Sequence, residues 1–205
     1  MTSADLTDPN NILYEMLYKS DVNTTDSTIK GNIDLWYQNT LLNDYDAYID
    51  DTIYCNNRKI REVSGVKQLG GWNPNGGTTD SNYSLQFNEY NVTSDLSCPN
   101  VLDQFSVSNT SAQLTYKVGL ITSSEMNLLN QNNARVSASA YWLGSPYGYI
   151  NDRAGGRNVS TTGYGSGGNV VPGLGGVRPS VSLTPGTEYS SGDGSMANPY
   201  VVRTN

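Results

Sequence analysis

The chain has 205 residues, 36% hydrophobic and only 15% charged, with 12 Lys and Arg against 19 Asp and Glu for a net charge of −7; that is enough for one domain with a modest core and uncharged polar loops. It contains no His, which excludes Ser-His-Asp and Cys-His nucleophiles and His-based zinc or iron sites. The acidic balance, with no Lys/Arg run and no apolar run of about 18 residues, gives no reason to expect nucleic-acid binding or membrane insertion.

The amino terminus, MTSADLTDPNN, has neither the charged nor the apolar region of a secretory signal. Residues 1–25 read as an arm, with an apolar cluster between Ile12 and Tyr18, ahead of a domain over residues 26–205. From Asp26, DSTIKGNIDLWYQNTLL sets Ile29, Ile33, Trp36, Tyr37 and Leu41 at helical spacing behind an Asp26/Ser27 cap, which predicts a first helix. The acidic stretch DYDAYIDDTIYCNNRKI predicts one further short helical turn leading into Cys55. Its Asp44, Asp46, Asp50 and Asp51 could pair as acid and base or hold calcium, yet their spacing fits no EF-hand loop, and solvated acids on a helix face are the plainer reading. No cofactor is expected.

Cys55 and Cys98 lie 43 positions apart, with no His or further Cys to complete a metal site. A disulfide is the preferred reading, two buried free thiols the alternative, and a disulfide favours an exported protein. Residues 64–100, including GGWNPNGG, carry loop chemistry with one short strand at Tyr83–Phe87. TYKVGLI, Thr115–Ile121, predicts a buried strand, and Thr122-Ser-Ser-Glu125 is a capping box that opens a second helix. Ser137–Leu143, Gly176–Leu183 and Asn198–Arg203 predict three more strands. The order implies an α+β class, two helices flanking small antiparallel sheets with long loops. Trp36, Val118, Leu120, Ile121, Tyr141, Trp142, Leu143, Val177, Val181 and Leu183 are the expected core.

Between Tyr141 and Gly176 stand 11 Gly, with Asp152, Arg153 and Arg157 but no Lys or Glu. Gly163-Tyr-Gly-Ser-Gly-Gly168 matches GxGxxG literally, but neither a parallel strand before it nor a helix after it is predicted. Tyr147, Tyr149, Asn151, Asp152, Arg157, Asn158, Ser160, Tyr164 and Ser166 combine rigid amphipathic rings with short hydrogen-bonding groups on a glycine-permissive backbone, the chemistry of a paratope. With Val171 and Leu174 they form the candidate ligand-binding set, expected on loops 147–174 and pointing outward; an ordinary Gly/Ser-rich surface loop is the alternative.

The segments DSTIKGNIDLWYQNTLL, DDTIYCNNR, GGWNPNGG, LTYKVGLITSSE, YWLGSP, GGVRPSVSLTPGTEYSSGDGS and NPYVV closely resemble, in this order, an uncharacterised domain family of exported and pilin-like proteins of Gram-positive gut bacteria and their prophages. The family is similar to the C-type lectin fold of formylglycine-generating-enzyme type, which the variable proteins of diversity-generating retroelements also use. The resemblance implies pairing of Cys55 with Cys98, and places a rewritable cassette between Tyr141-Trp142 and Gly176-Val-Arg-Pro179, residues 141–176. Residues 1–25 hold no copy of the family's apolar first strand. The lectin calcium signature and the oxidase's paired cysteines are absent, so neither calcium-dependent sugar binding nor enzyme activity carries over.

The expectation is therefore a non-enzymatic binding protein on a cell or virion surface, for a protein or glycan ligand, protein favoured. A structural or assembly module of a pilus or virion, using the same face for subunit contacts, is the alternative. A carboxylate-based enzyme comes third, since the cassette offers no convergent acids.

Overall fold

The computed structural model describes residues 23, 25–59, 62–67, 84–86, 96–129, 135–150, 153–170, 175–195 and 197–204. The first helix, α1, spans Thr28–Thr40 and starts where expected, with the Ser27 hydroxyl accepting from Lys30 N–H at 3.1 Å. Ile33 and Tyr37, four apart and so on one face, are its buried residues. Trp36, expected inside, is 36% exposed: one residue from Tyr37 is about 100° around the helix, which turns it off the buried stripe.

Tyr37 is wholly buried, its ring stacked on Tyr116 at 5.3 Å and its hydroxyl donating to Asp46 Oδ1 at 2.6 Å. Asp46 opens a 3₁₀ turn, Asp46–Tyr48, which is the short helical turn expected there. Lys117 Nζ donates to Asp46 Oδ2 and to the carbonyls of Asp46 and Ile49 at 3.0–3.1 Å, tying this turn to the rest of the domain. Ile33, Tyr37, Ile49 and Val118 form one core cluster, with Leu120, Val177 and Val181 packed against it. Each fully buried apolar side chain there contributes about 1.5–3 kcal/mol. Thr115–Ile121, expected as a strand, makes instead only the Gly119–Ser180 bridge, because its backbone bends at 115–117 to deliver Tyr116 and Lys117 to Tyr37 and Asp46.

Short antiparallel pairs carry the rest of this half. β1 (Ile49–Asp50) pairs β10 (Ser182–Leu183), β2 (Tyr54–Cys55) pairs β6 (Gln104–Phe105), and β3 (Glu62–Val63) pairs β4 (Val66–Lys67). Leu183, expected in the core, is 47% exposed at the end of such a two-residue strand. β11 (Tyr189–Ser191) and β12 (Val201–Val202) form a ribbon near the carboxyl end. Cys55 and Cys98 are joined by a disulfide, and Arg58 of the same CNNR segment forms a buried ion pair with Asp103, side chains 8% and 3% exposed.

The second helix, α2, spans Ser123–Leu128 and begins with the expected capping box: Glu125 N–H donates to Thr122 Oγ1 at 3.0 Å and Thr122 N–H to Glu125 Oε2 at 2.7 Å. Buried Arg135 donates to the carbonyls of Asn127 and Leu129, which satisfies the free end of the helix. Met126 meets Tyr141, Leu143 and Val159 in a second core cluster, with Ile121 against it. Those three partners belong to the largest sheet, ordered β5 (Ser84–Gln86), β7 (Tyr141–Ile150), β8 (Arg153–Val159), β9 (Gly165–Val170). Two helices with several small antiparallel sheets make the chain α+β.

Candidate functional site

The glycine-rich segment is mostly strand, not loop. β7 and β8 pair antiparallel from Tyr141–Val159 to Ile150–Arg153, and β8 pairs β9 from Val159–Gly165 to Gly155–Val170. Glycine composition signalled turns; the ladder formed because small-residue strands, anchored at one end, can satisfy one another's N–H and C=O groups at low steric cost.

The anchors are at one end. Tyr141, Leu143 and Val159 enter the second core cluster, and Trp142 is 8% exposed. The Trp142 indole lies between two glycines: a Cβ added at Gly156 would meet its ring at 3.4 Å, and one at Gly175 would come within 2.6 Å of Nε1. Close backbone approach on both sides is what places glycine here. Extra residues in β7 shift the register between Trp142 and Pro146 and again before Gly148, and such bulges re-aim the strand beyond its anchored end.

The candidate residues divide. Arg157 and Asn158, expected to point outward, are 7% and 9% exposed. Their positions explain it: Arg157 precedes buried Val159 by two residues in β8 and so shares its face, and Asn158 pairs Trp142 on the covered opposite face. Arg157 Cζ lies 5.0 Å from the ring centroid of half-buried Tyr147, a cation–π contact. Had β8 been recognised as a strand, the two-residue period would have predicted the inward Arg.

Ser160 and Tyr164 bracket the β8–β9 turn, at the anchored end of the sheet. Ser160 N–H donates to the Tyr164 carbonyl at 2.9 Å, Gly163 N–H to the Ser160 carbonyl at 3.0 Å, and Tyr164 N–H to Ser160 Oγ at 3.2 Å, while Ser160 and Thr162 hydroxyls are 2.9 Å apart. Gly163 takes a φ of +82°, a left-handed conformation that suits glycine. Tyr164, on this pinned turn, is 66% exposed. Tyr149 pairs Leu85 and Ala154, and Ser166 pairs Asn158, in the ladder. Tyr147 and Tyr149 thus sit toward the far end of the sheet from Tyr164, so the set is not one contiguous patch. Asn151, Asp152, Val171 and Leu174 lie outside the described residues.

β5, β7, β8, β9 and the 160–164 turn contain no Asp, Glu, Lys or Cys, so these elements hold no carboxylate pair and no acid–base partner for a hydroxyl nucleophile. Of the acids earlier in the chain, Asp46 and Asp51 are engaged in bonds of their own. The Tyr37 hydroxyl bond and Lys117 hold the Asp46 carboxyl below its ordinary range despite partial burial. Burial pushes Asp51 up, but the amides of Val107 and Ser108, at 2.8 and 2.9 Å, outweigh it and leave the carboxyl lowered. Among the described residues no group of three or more His, Cys, Asp or Glu could hold a metal ion. No helix among them is long and apolar enough to cross a membrane.

No protein-family profile, curated protein or solved structure matches the chain.

Proposed function

We propose that the chain is a non-enzymatic ligand-binding protein of C-type-lectin-like architecture, which displays a Tyr/Asn/Ser/Gly-rich surface on the β7–β9 sheet and its turn in the manner of retroelement variable proteins. The observation that carries this reading is the pairing of a two-thirds-exposed Tyr164 with a turn pinned by its own hydrogen bonds, beside strand ends buried in the core. A rigid ring with only two side-chain torsions gains contact area at low entropic cost, and a pinned backbone spares the ordering penalty of a mobile loop. The residues that vary under this reading are the exposed ones of the turn: Thr161, Thr162 and Tyr164. Arg157 and Asn158 belong to the scaffold. The ligand is an unidentified protein or glycan, protein favoured, and the Cys55–Cys98 disulfide supports an exported protein on a cell or virion surface.

The test is a sequence read of the locus together with a displayed library. Codons 141–176 are expected to have a near-copy beside a reverse-transcriptase gene, differing only where adenines stand. A library randomised at 161, 162 and 164 is expected to stay folded and to yield binders, whereas one randomised at 157–159 is expected to lose folded protein. A locus without the near-copy removes diversification, and unfolding of the 161/162/164 library removes the display surface itself.

A further inference from the structure

We propose that the cleft beside the disulfide is a docking site for a lysine side chain of a basic partner protein, an interaction surface apart from the β7–β9 sheet. Ile53, Cys55, Leu96, Cys98, Thr122 and Glu125 line it, and its volume is ≈ 260 Å³. Small-molecule sites run to about 300–1,000 Å³, so this cleft suits one long side chain better than a whole ligand.

The sequence builds its walls from two matching segments. Ile53 stands two residues before Cys55, and Leu96 two residues before Cys98. The bond between the cysteines therefore brings one aliphatic side chain from each segment to the same cleft. Both remain in contact with water, Ile53 49% and Leu96 55% exposed. The start of α2 supplies the rest, through the capping-box residues Thr122, buried, and Glu125, exposed. Among the described residues lining the cleft there is no Lys or Arg, and Glu125 is the one charged group.

Two aliphatic side chains beside a lone carboxylate complement a run of methylenes that ends in a cation. Lys and Arg lay their stems along apolar surface while the charged head stays in water. The carboxylate favours Lys of the two. Both bonds from Thr122, its N–H at 2.7 Å and its hydroxyl at 2.9 Å, fall on Glu125 Oε2. A guanidinium fork takes both oxygens of a carboxylate, whereas an ammonium is a point charge that needs only one. The net charge of −7 draws a basic partner in from longer range, and the cleft sets where it seats.

The full chain, isotope-labelled at its Ile and Leu methyl groups, is titrated by NMR with an end-blocked Gly-Lys-Gly peptide and with the same peptide acetylated on the lysine nitrogen. The lysine peptide is expected to shift the methyl signals of Ile53 and Leu96 with a roughly millimolar Kd, as befits one side chain, and the acetylated peptide to leave them in place. Glu125→Gln is expected to weaken binding by about fivefold. Gln serves in a capping box as Glu does, so the helix start is kept and the melting temperature should match the parent's. Leu96→Ala, at an exposed position, is expected to weaken binding without unfolding and keeps the test decisive should Glu125→Gln disturb α2. Shifts absent from Ile53 and Leu96, an equal response to the acetylated peptide, or binding unaltered by both substitutions overturns the site.

Discussion

In the half built from α1, β2 and β6, order comes from side chains: a disulfide, a buried Arg58–Asp103 pair, and the Tyr37–Asp46–Lys117 chain of hydrogen bonds. In the β7–β9 sheet it comes from backbone pairing between glycine-rich strands, pinned at one end by Tyr141, Trp142, Leu143 and Val159. Side-chain networks are specific and intolerant, because deleting one member leaves a buried partner unsatisfied. A backbone ladder asks little of the outward side chains. The two halves thus differ in what holds them: side-chain networks in one, a backbone ladder on a small core cluster in the other.

That contrast can be broken by substitution, and the largest effect belongs to the side-chain half. Asp103→Ala is expected to cost about 3–5 kcal/mol in denaturant unfolding, because it strands a buried guanidinium; a loss under 1 kcal/mol, measured the same way, would place the pair among ordinary surface ion pairs. Removing the disulfide by Cys55→Ser with Cys98→Ser frees a loop spanning 43 positions and is expected to cost about 4 kcal/mol in the chain-entropy description. Urea titrations of oxidised and reduced protein should give the same difference.

Within the sheet, the anchored end should respond where the rest does not. Gly175→Ala sets a methyl 2.6 Å from the Trp142 indole nitrogen, and overpacking of that kind costs about 1–3 kcal/mol; quenched or shifted Trp fluorescence would report the displaced ring. A pH series sharpens the comparison from the other side. Asp46 is lowered from 3.8 by the Tyr37 bond and Lys117, so its stabilisation is present above the unfolded value and is lost as pH falls below about 4 through the folded one. Tyr37 is raised from 10.0 by burial and by Asp46, so its contribution is complete below pH 10 and is lost as pH rises above it. Asp46→Asn is expected to blunt the acid limb of a melting-temperature profile, and an unaltered limb would remove Asp46 from that account. The smallest effect is expected at Tyr164→Ala, within about 0.5 kcal/mol, since a residue 66% exposed leaves no cavity behind. A melting temperature several degrees lower would mean that Tyr164 supports the fold rather than presenting a surface.

Local signals in the chain determined its local structures. The Ser27 cap, the Thr122–Glu125 box, the Cys55–Cys98 pairing and the buried stripe of Ile33 and Tyr37 all follow from contacts between residues a few positions apart or from the scarcity of partners for two cysteines. Tertiary structure alone decided that Thr115–Ile121 would bend to serve Tyr37 and Asp46, that Trp36 would face water, and that the glycines after Tyr141 would form a sheet. It also turned Arg157 and Asn158 inward, out of the candidate surface, and left Tyr164 on it. The physical reason is the range of the interactions. A helix cap closes within one turn, whereas a strand's register and the face each residue takes are set by a neighbouring strand and by the core residues at its anchored end.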